Sequence, residues 1–148
     1  MVLCLMILSV ALPIGSATAA QIETSRRGEL SIEYLYDNEP VSGAEFQVYR
    51  VVEISEDGMY RLTGRFKDYP VEMNGLTDTE MANAALTLQG FAQRDQLAPD
   101  YTVITDENGT AKLTDLATGL YLIVGKPLVT EEGTYTTKPC LPADFHRR

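Results

Sequence analysis

The sequence predicts a mainly β fold, a sandwich of short strands with one α-helix inserted at about residues 78–96. Two stretches carry most of that expectation, PVSGAEFQVYRV (Pro40 to Val51) and TDENGTAKLTDLATGLYLIVG (Thr105 to Gly125). Each sets a turn rich in Gly, Pro, Asn or Asp directly before an apolar and aromatic run, the pattern of a strand entered through a tight turn. Between them Met81, Ala84, Ala85, Leu88, Phe91 and Ala92 recur at three- and four-residue steps and form one apolar stripe. With 148 residues, 45% of them hydrophobic, the chain can bury a single core, and 22% charged residues argue against wholesale disorder.

Residues 1–19 read as a signal peptide. Val2 to Leu12 is almost wholly apolar, Pro13 and Gly15 break the run, and Ala17, Thr18 and Ala19 give a small-x-small cleavage pattern, although no Lys or Arg precedes it. The segment is too short to span a bilayer comfortably, so a secreted product with no membrane span in the mature chain is expected. Residues 20–27 form an N-terminal extension, 28–137 the folded domain, and 138–148 an irregular tail resembling a truncated or frameshifted reading frame.

In the domain, Leu30, Ile32, Tyr34 and Tyr36 alternate with Glu29, Ser31 and Glu33, the period of a strand with one buried face. Asp37 to Gly43 is expected as a loop, followed by a strand from Ala44 to Ile54. That strand has Phe46, Val48 and Val52 on one face and Tyr49 and Val51 on the other, which suits a central position. Glu56, Asp57 and Gly58 turn into a short strand at Met59 to Leu62, and Phe66 to Gly75, interrupted by Pro70, Asn74 and Gly75, is expected as loop. The helix has Thr77 or Asp78 as N-cap and Glu80 in its first turn, where an acid complements the helix dipole. Past Pro99, strands are expected at Tyr101 to Thr105, Ala111 to Leu113 and Leu120 to Val124, with turns at Asp106 to Gly109 and Leu116 to Gly119. Thr134 to Thr137 adds a final strand.

Charge and composition narrow the chemistry. All 21 acidic and 12 basic residues lie beyond Ala20, and the net charge of −9 repels nucleic acid and anionic lipid. Cys4 leaves with the signal peptide, so Cys140 alone remains and no internal disulfide is expected. No Gly-rich phosphate loop, metal-spaced His cluster or GxSxG occurs, and no catalytic, cofactor-binding or metal residue is assigned. Cys140 and His146 lie together in the tail with nothing to orient them as nucleophile and base. Asp106, Glu107, Asn108 and Gly109 look like the opening of a calcium loop, but a Gly stands where the third ligand belongs and a hairpin turn is the better reading. Glu56 with Asp57, and Glu131 with Glu132, read as solvated turns.

The order GELSIEYLY, PVSGAEFQVYRV, a helix, TDENGTAKLTDLATGLYLIVG and GTYTT resembles the N-terminal domain of pilin subunits from Gram-positive sortase-assembled pili. Those belong with the Ig-like, prealbumin-like domains of the SpaA or collagen-adhesin B type, and the resemblance covers about Gly28 to Thr137. It implies a non-enzymatic module of the cell surface or cell wall, part of a pilus shaft subunit or adhesin. Its implied partners are other pilin subunits, a sortase and host surface ligands. The motif residues are architectural on this reading. A secreted ligand- or glycan-binding sandwich without pilus assembly is the alternative, favoured if Tyr34, Tyr60 or Tyr101 share one exposed patch.

Several features expected from the resemblance are absent from the residues. GELSIEYLY has no lysine to open an isopeptide bond, and Gly125 stands where an acid often follows GLYLIV. None of the four lysines, Lys67, Lys112, Lys126 and Lys138, sits in a YPKN-like motif. Leu141 and Pro142 begin like an LPxTG signal that Ala143, Asp144 and Phe145 do not complete. The expected intact mass of the mature protein therefore equals that of its sequence; a deficit of one ammonia would reveal an internal Lys–Asn bond and overturn this.

Overall fold

In the computed structural model, residues 24–142 are described. The expected signal peptide with Cys4, and the tail residues 143–148 with His146, lie outside them. In order, the elements are β1 (Arg27–Glu33), β2 (Leu35–Tyr36), β3 (Glu39–Pro40), β4 (Glu45–Ile54), β5 (Tyr60–Leu62), a 3-10 turn (Gly64–Phe66), α1 (Asp78–Arg94), β6 (Tyr101–Ile104), β7 (Thr110–Ala117), β8 (Leu120–Gly125), β9 (Leu128–Thr130) and β10 (Gly133–Tyr135). Among the described residues the fold is mainly β and sandwich-like, with one α-helix, and the strand pairings are antiparallel. Among the described residues no helix is long and apolar enough to cross a membrane.

The central sheet is built around β4. One edge pairs with β8, from Phe46 opposite Gly125 to Val52 opposite Leu120. The other edge is shared, by β6 along Glu45 to Val48 and by β5 along Val52 to Ile54. Between those two partners Asp100 fills the gap, its carboxylate accepting from the Arg50 backbone N–H at 2.8 Å and from the Arg65 guanidinium at 3.1 Å.

Both faces of this sheet are covered. The β1–β7 ribbon packs on one, enclosing Leu30, Phe46, Val48, Leu116, Tyr121 and Ile123. Helix α1 and the loop before it pack on the other, where Ala84, Ala85, Leu88 and Ala92 meet Leu120, Leu122 and Val124. Hence LYLIV in β8 is apolar at every position: Leu120, Leu122 and Val124 serve one core, Tyr121 and Ile123 the other. Full burial of such a side chain contributes about 1.5–3 kcal/mol, so five on one strand are a large part of what holds the layers together.

The helix follows its sequence signals closely. Thr77 and Glu80 form a reciprocal capping box, with Thr77 Oγ1 accepting from the Glu80 N–H at 3.3 Å and Glu80 Oε2 from the Thr77 N–H at 2.8 Å. At the other end Gln96 takes a left-handed conformation, and Leu97 N–H reaches back to Ala92 C=O at 2.9 Å. The apolar stripe faces the sheet as expected, with Met81 and Phe91 at its margins.

Four expectations are corrected. The first strand does not run to Tyr36, because Asp37 (φ 49) and Asn38 (φ 64) are both left-handed and close a type I′ hairpin that pairs Tyr36 with Glu39. Tyr36 is thereby turned outward, 58% exposed, and part of the expected Asp37 to Gly43 loop is strand. Val52 joins Tyr49 and Val51 in the helix-side core, because the register slips between Arg50 and Val52 and puts one extra residue on β4. The strand expected at Ala111 to Leu113 continues to Ala117. Asp115 (φ 56) lies where the register against β1 shifts, and Leu116 beyond it enters the core instead of a turn. Lastly, the structure adds β9, and the final strand, expected at Thr134 to Thr137, runs Gly133–Tyr135 opposite it.

The segment expected as loop is irregular but not peripheral. Phe66 and Met73 are 1% and 2% exposed, and Asn74 ties the end of the segment to β5 by accepting from Tyr60 N–H and donating to Tyr60 C=O, both at 2.8 Å.

Glycine is required where β7 turns into β8. A Cβ on Gly119 would lie 2.2 Å from the Val52 carbonyl oxygen, a backbone atom that cannot move aside alone. Gly119→Ala is expected to cost about 3 kcal/mol in urea unfolding. Gly90→Ala, on α1 with nothing within 4 Å of the added carbon, is expected to stabilise by about 1 kcal/mol. Equal midpoints for the two variants would contradict this assignment.

Candidate functional site

The stretches most prominent in the sequence are engaged in holding each other. Thr105, 3% exposed, donates through Oγ1 to Val41 C=O at 2.7 Å and accepts from Ala44 N–H at 2.9 Å. Its backbone adds bonds to Gly43 and Ala44, so the PVSGA turn is fastened to the strand end before TDENGT. The turn that resembles a calcium loop is a tight turn closed on itself, Asp106 Oδ1 accepting from Asn108 N–H at 2.9 Å and from Thr110 N–H at 3.0 Å. The hairpin expected there does not form, because β6 pairs with β4 and β7 with β1, so the turn carries the chain from one sheet to the other. A Cβ on Gly109 would lie 2.6 Å from Tyr34 C=O, so that glycine permits the close approach of the β1 end.

The remaining sequence candidates are dispersed. The Asp57 carboxylate accepts from the Ser55 hydroxyl, which lowers its pKa, and the turn closes through Gly58 N–H to Ser55 C=O at 2.9 Å. Cys140 is an exposed residue whose backbone pairs with Ile123, and partial desolvation of its thiol raises the pKa, away from the thiolate that a nucleophile needs. Lys112 and Lys126 face Glu29 and Glu45 at 4.0 and 2.8 Å. Tyr34, Tyr60 and Tyr101 do not form one patch. Tyr34 packs edge-on to Phe46 against the core under the β1–β7 ribbon, Tyr60 packs against the helix-side core, and Tyr101 is exposed on β6.

The structure brings together a different set of residues. The β2–β3 and β9–β10 hairpins flank a cleft of about 630 Å³, within the range of ligand clefts. Tyr36 and Tyr135 cross it edge to face, with ring centroids 5.3 Å apart at 84°, beside Pro40 and Leu128. Asp37, Glu39, Glu131 and Glu132 line it, and no Lys or Arg does. Glu132 accepts from the Tyr135 hydroxyl at 3.3 Å; burial, then the Glu132 charge, raises the pKa of that phenol. None of the four carboxylates belongs to the ion pairs found among the described residues.

The cleft is not legible in the residue pattern, which puts Tyr36 on the alternating face of the first strand and Glu131 with Glu132 in a solvated turn. The Asp-Asn pair after Tyr36 was the available signal, since two residues tolerant of positive φ reverse the chain and turn the tyrosine outward. Comparison with known protein families, curated proteins and solved structures finds no match to the chain.

One further cluster joins the loop before α1 to the helix C-terminus. Tyr69 stacks on Phe91 at 4.4 Å and 3°, Arg94 lies 5.0 Å from the Phe91 centroid, and Arg94 makes two bonds of 2.7 Å to Asp95. The Tyr69 hydroxyl also donates to Asp95. Arg94 foremost, then Tyr69, lowers the Asp95 pKa from 3.8 to about 2. Because the folded value is the lower one, the contribution is complete above the unfolded pKa and is lost as pH falls through the folded one. Stability is expected to drop between about pH 4 and 2 in the parent, and less steeply over that window in Asp95→Asn; identical acid profiles would refute the link.

Proposed function

We propose that this chain is a secreted cell-surface structural module, the N-terminal domain of a pilus shaft subunit or surface adhesin. The observation that carries this reading is the fastening of the PVSGA turn by Thr105, together with the pairing of the GLYLIV strand to β4. The motifs that resemble a sortase-assembled pilin thus form one interlocked sandwich in the resembling order. A module of this kind works by bearing load and presenting surface, and two cores on either side of a shared sheet suit that task. Its partners on this reading are other pilin subunits and a sortase.

A second reading, a secreted ligand- or glycan-binding sandwich without pilus assembly, draws on the aromatic and acidic cleft as a ligand site. Its glycan form loses the support expected of Tyr34, Tyr60 and Tyr101, which do not share one patch. The experiment is a blot of cell-wall extract from the producing organism with antiserum to this domain. A ladder of species that survives boiling in detergent, and collapses to one band when the sortase is deleted, is expected. A single monomer-sized band in the culture medium would overturn the pilus reading and leave the binding module.

A further inference from the structure

We infer that the cleft between the β2–β3 and β9–β10 hairpins is a docking site for a lysine-rich segment of a partner polypeptide. This goes beyond a load-bearing role and does not depend on pilus assembly. Three observations converge on this occupant. The first is charge: four carboxylates, Asp37, Glu39, Glu131 and Glu132, line the cleft without a basic residue among them. The molecule's ion pairs lie elsewhere, so these charges are unspent among the described residues.

The second is the aromatic geometry. Tyr36 and Tyr135 meet at 84°, so their ring faces are directed differently and offer no flat shared platform for a sugar ring. An ammonium group is attracted to the face of a tyrosine, and the aliphatic stem of a lysine gains by lying along Pro40 and Leu128. The third is the spacing of the acids. No three of them, nor any other His, Cys, Asp or Glu among the described residues, converge closely enough to hold one metal ion. Carboxylates placed apart on two hairpins suit several cationic groups along an extended chain. A second copy of this protein, itself at −9, is repelled from such a surface.

The test is a titration of the purified mature chain with a capped five-residue lysine peptide, followed by the tyrosine ring resonances at low and physiological salt. Its Nζ-acetylated form and a neutral glucan hexasaccharide serve as comparison ligands. Saturable binding of the lysine peptide, weakened by salt and abolished by acetylation, is expected.

Tyr36→Ala keeps the protein's charge and removes a side chain that is 58% exposed, and it is expected to weaken binding about two- to five-fold. Glu39→Gln combined with Glu131→Gln is expected to weaken it by a similar factor, while Asp68→Asn, outside the cleft, leaves it unchanged. Thermal melts of each variant separate loss of binding from loss of fold. Equal affinity in Tyr36→Ala would show only general attraction to an acidic surface and overturn the proposal. So would binding of the hexasaccharide in place of the peptide, or movement of tyrosine signals other than Tyr36 and Tyr135.

Discussion

A strand covered on both faces and paired along both edges leaves little of itself for water, and β4, exposed only at Glu53, is such a strand. Each apolar face demands a cover, so one sheet recruits two layers, the β1–β7 ribbon and the helix. The shared edge demands a filler where β6 ends and β5 begins, and Asp100 supplies a carboxylate where a backbone carbonyl would otherwise accept. The extra residue at Val51 and Val52 directs more apolar volume toward the helix and less toward the ribbon. The cleft in turn lies between hairpins that flank this structure without belonging to its central sheet.

What could be read in advance followed from how strongly each residue is constrained locally. The helix was legible from end to end, because caps and apolar spacing act within a few residues of one another, as Thr77 with Glu80 shows. The strands β4 and β8 were legible as apolar runs. Their faces were only partly so, because the bulge that relocates Val52 depends on β8, nearly seventy residues away. Asp115 is similar: nothing in its neighbours announces a left-handed residue within a strand, and only pairing with β1 makes sense of it.

The candidate site was the least legible part, for the same reason. Tyr36 and Tyr135 stand almost a hundred residues apart and meet because two separate hairpins turn toward each other. The residues that look most functional in the sequence, the glycine turns and the aspartate at 106, are used up in holding the scaffold. Those that gather at the surface came from stretches that read as solvated turn or strand alternation. Conspicuous sequence marks the frame here, while exposed chemistry comes from ordinary residues on short hairpins.

The contact between Asn74 and Tyr60 has a consequence for how the molecule meets others of its kind. A sheet edge with free N–H and C=O groups is a template on which foreign strands can grow. At β5 a single carboxamide presents one donor and one acceptor in the places a neighbouring strand would use, and so closes that point of the edge with a side chain. The loop that ends the sheet is also the loop that fills the core with Phe66 and Met73. Termination and packing are therefore carried by one segment, and a chain that has folded its helix-side core has also closed the edge at Tyr60.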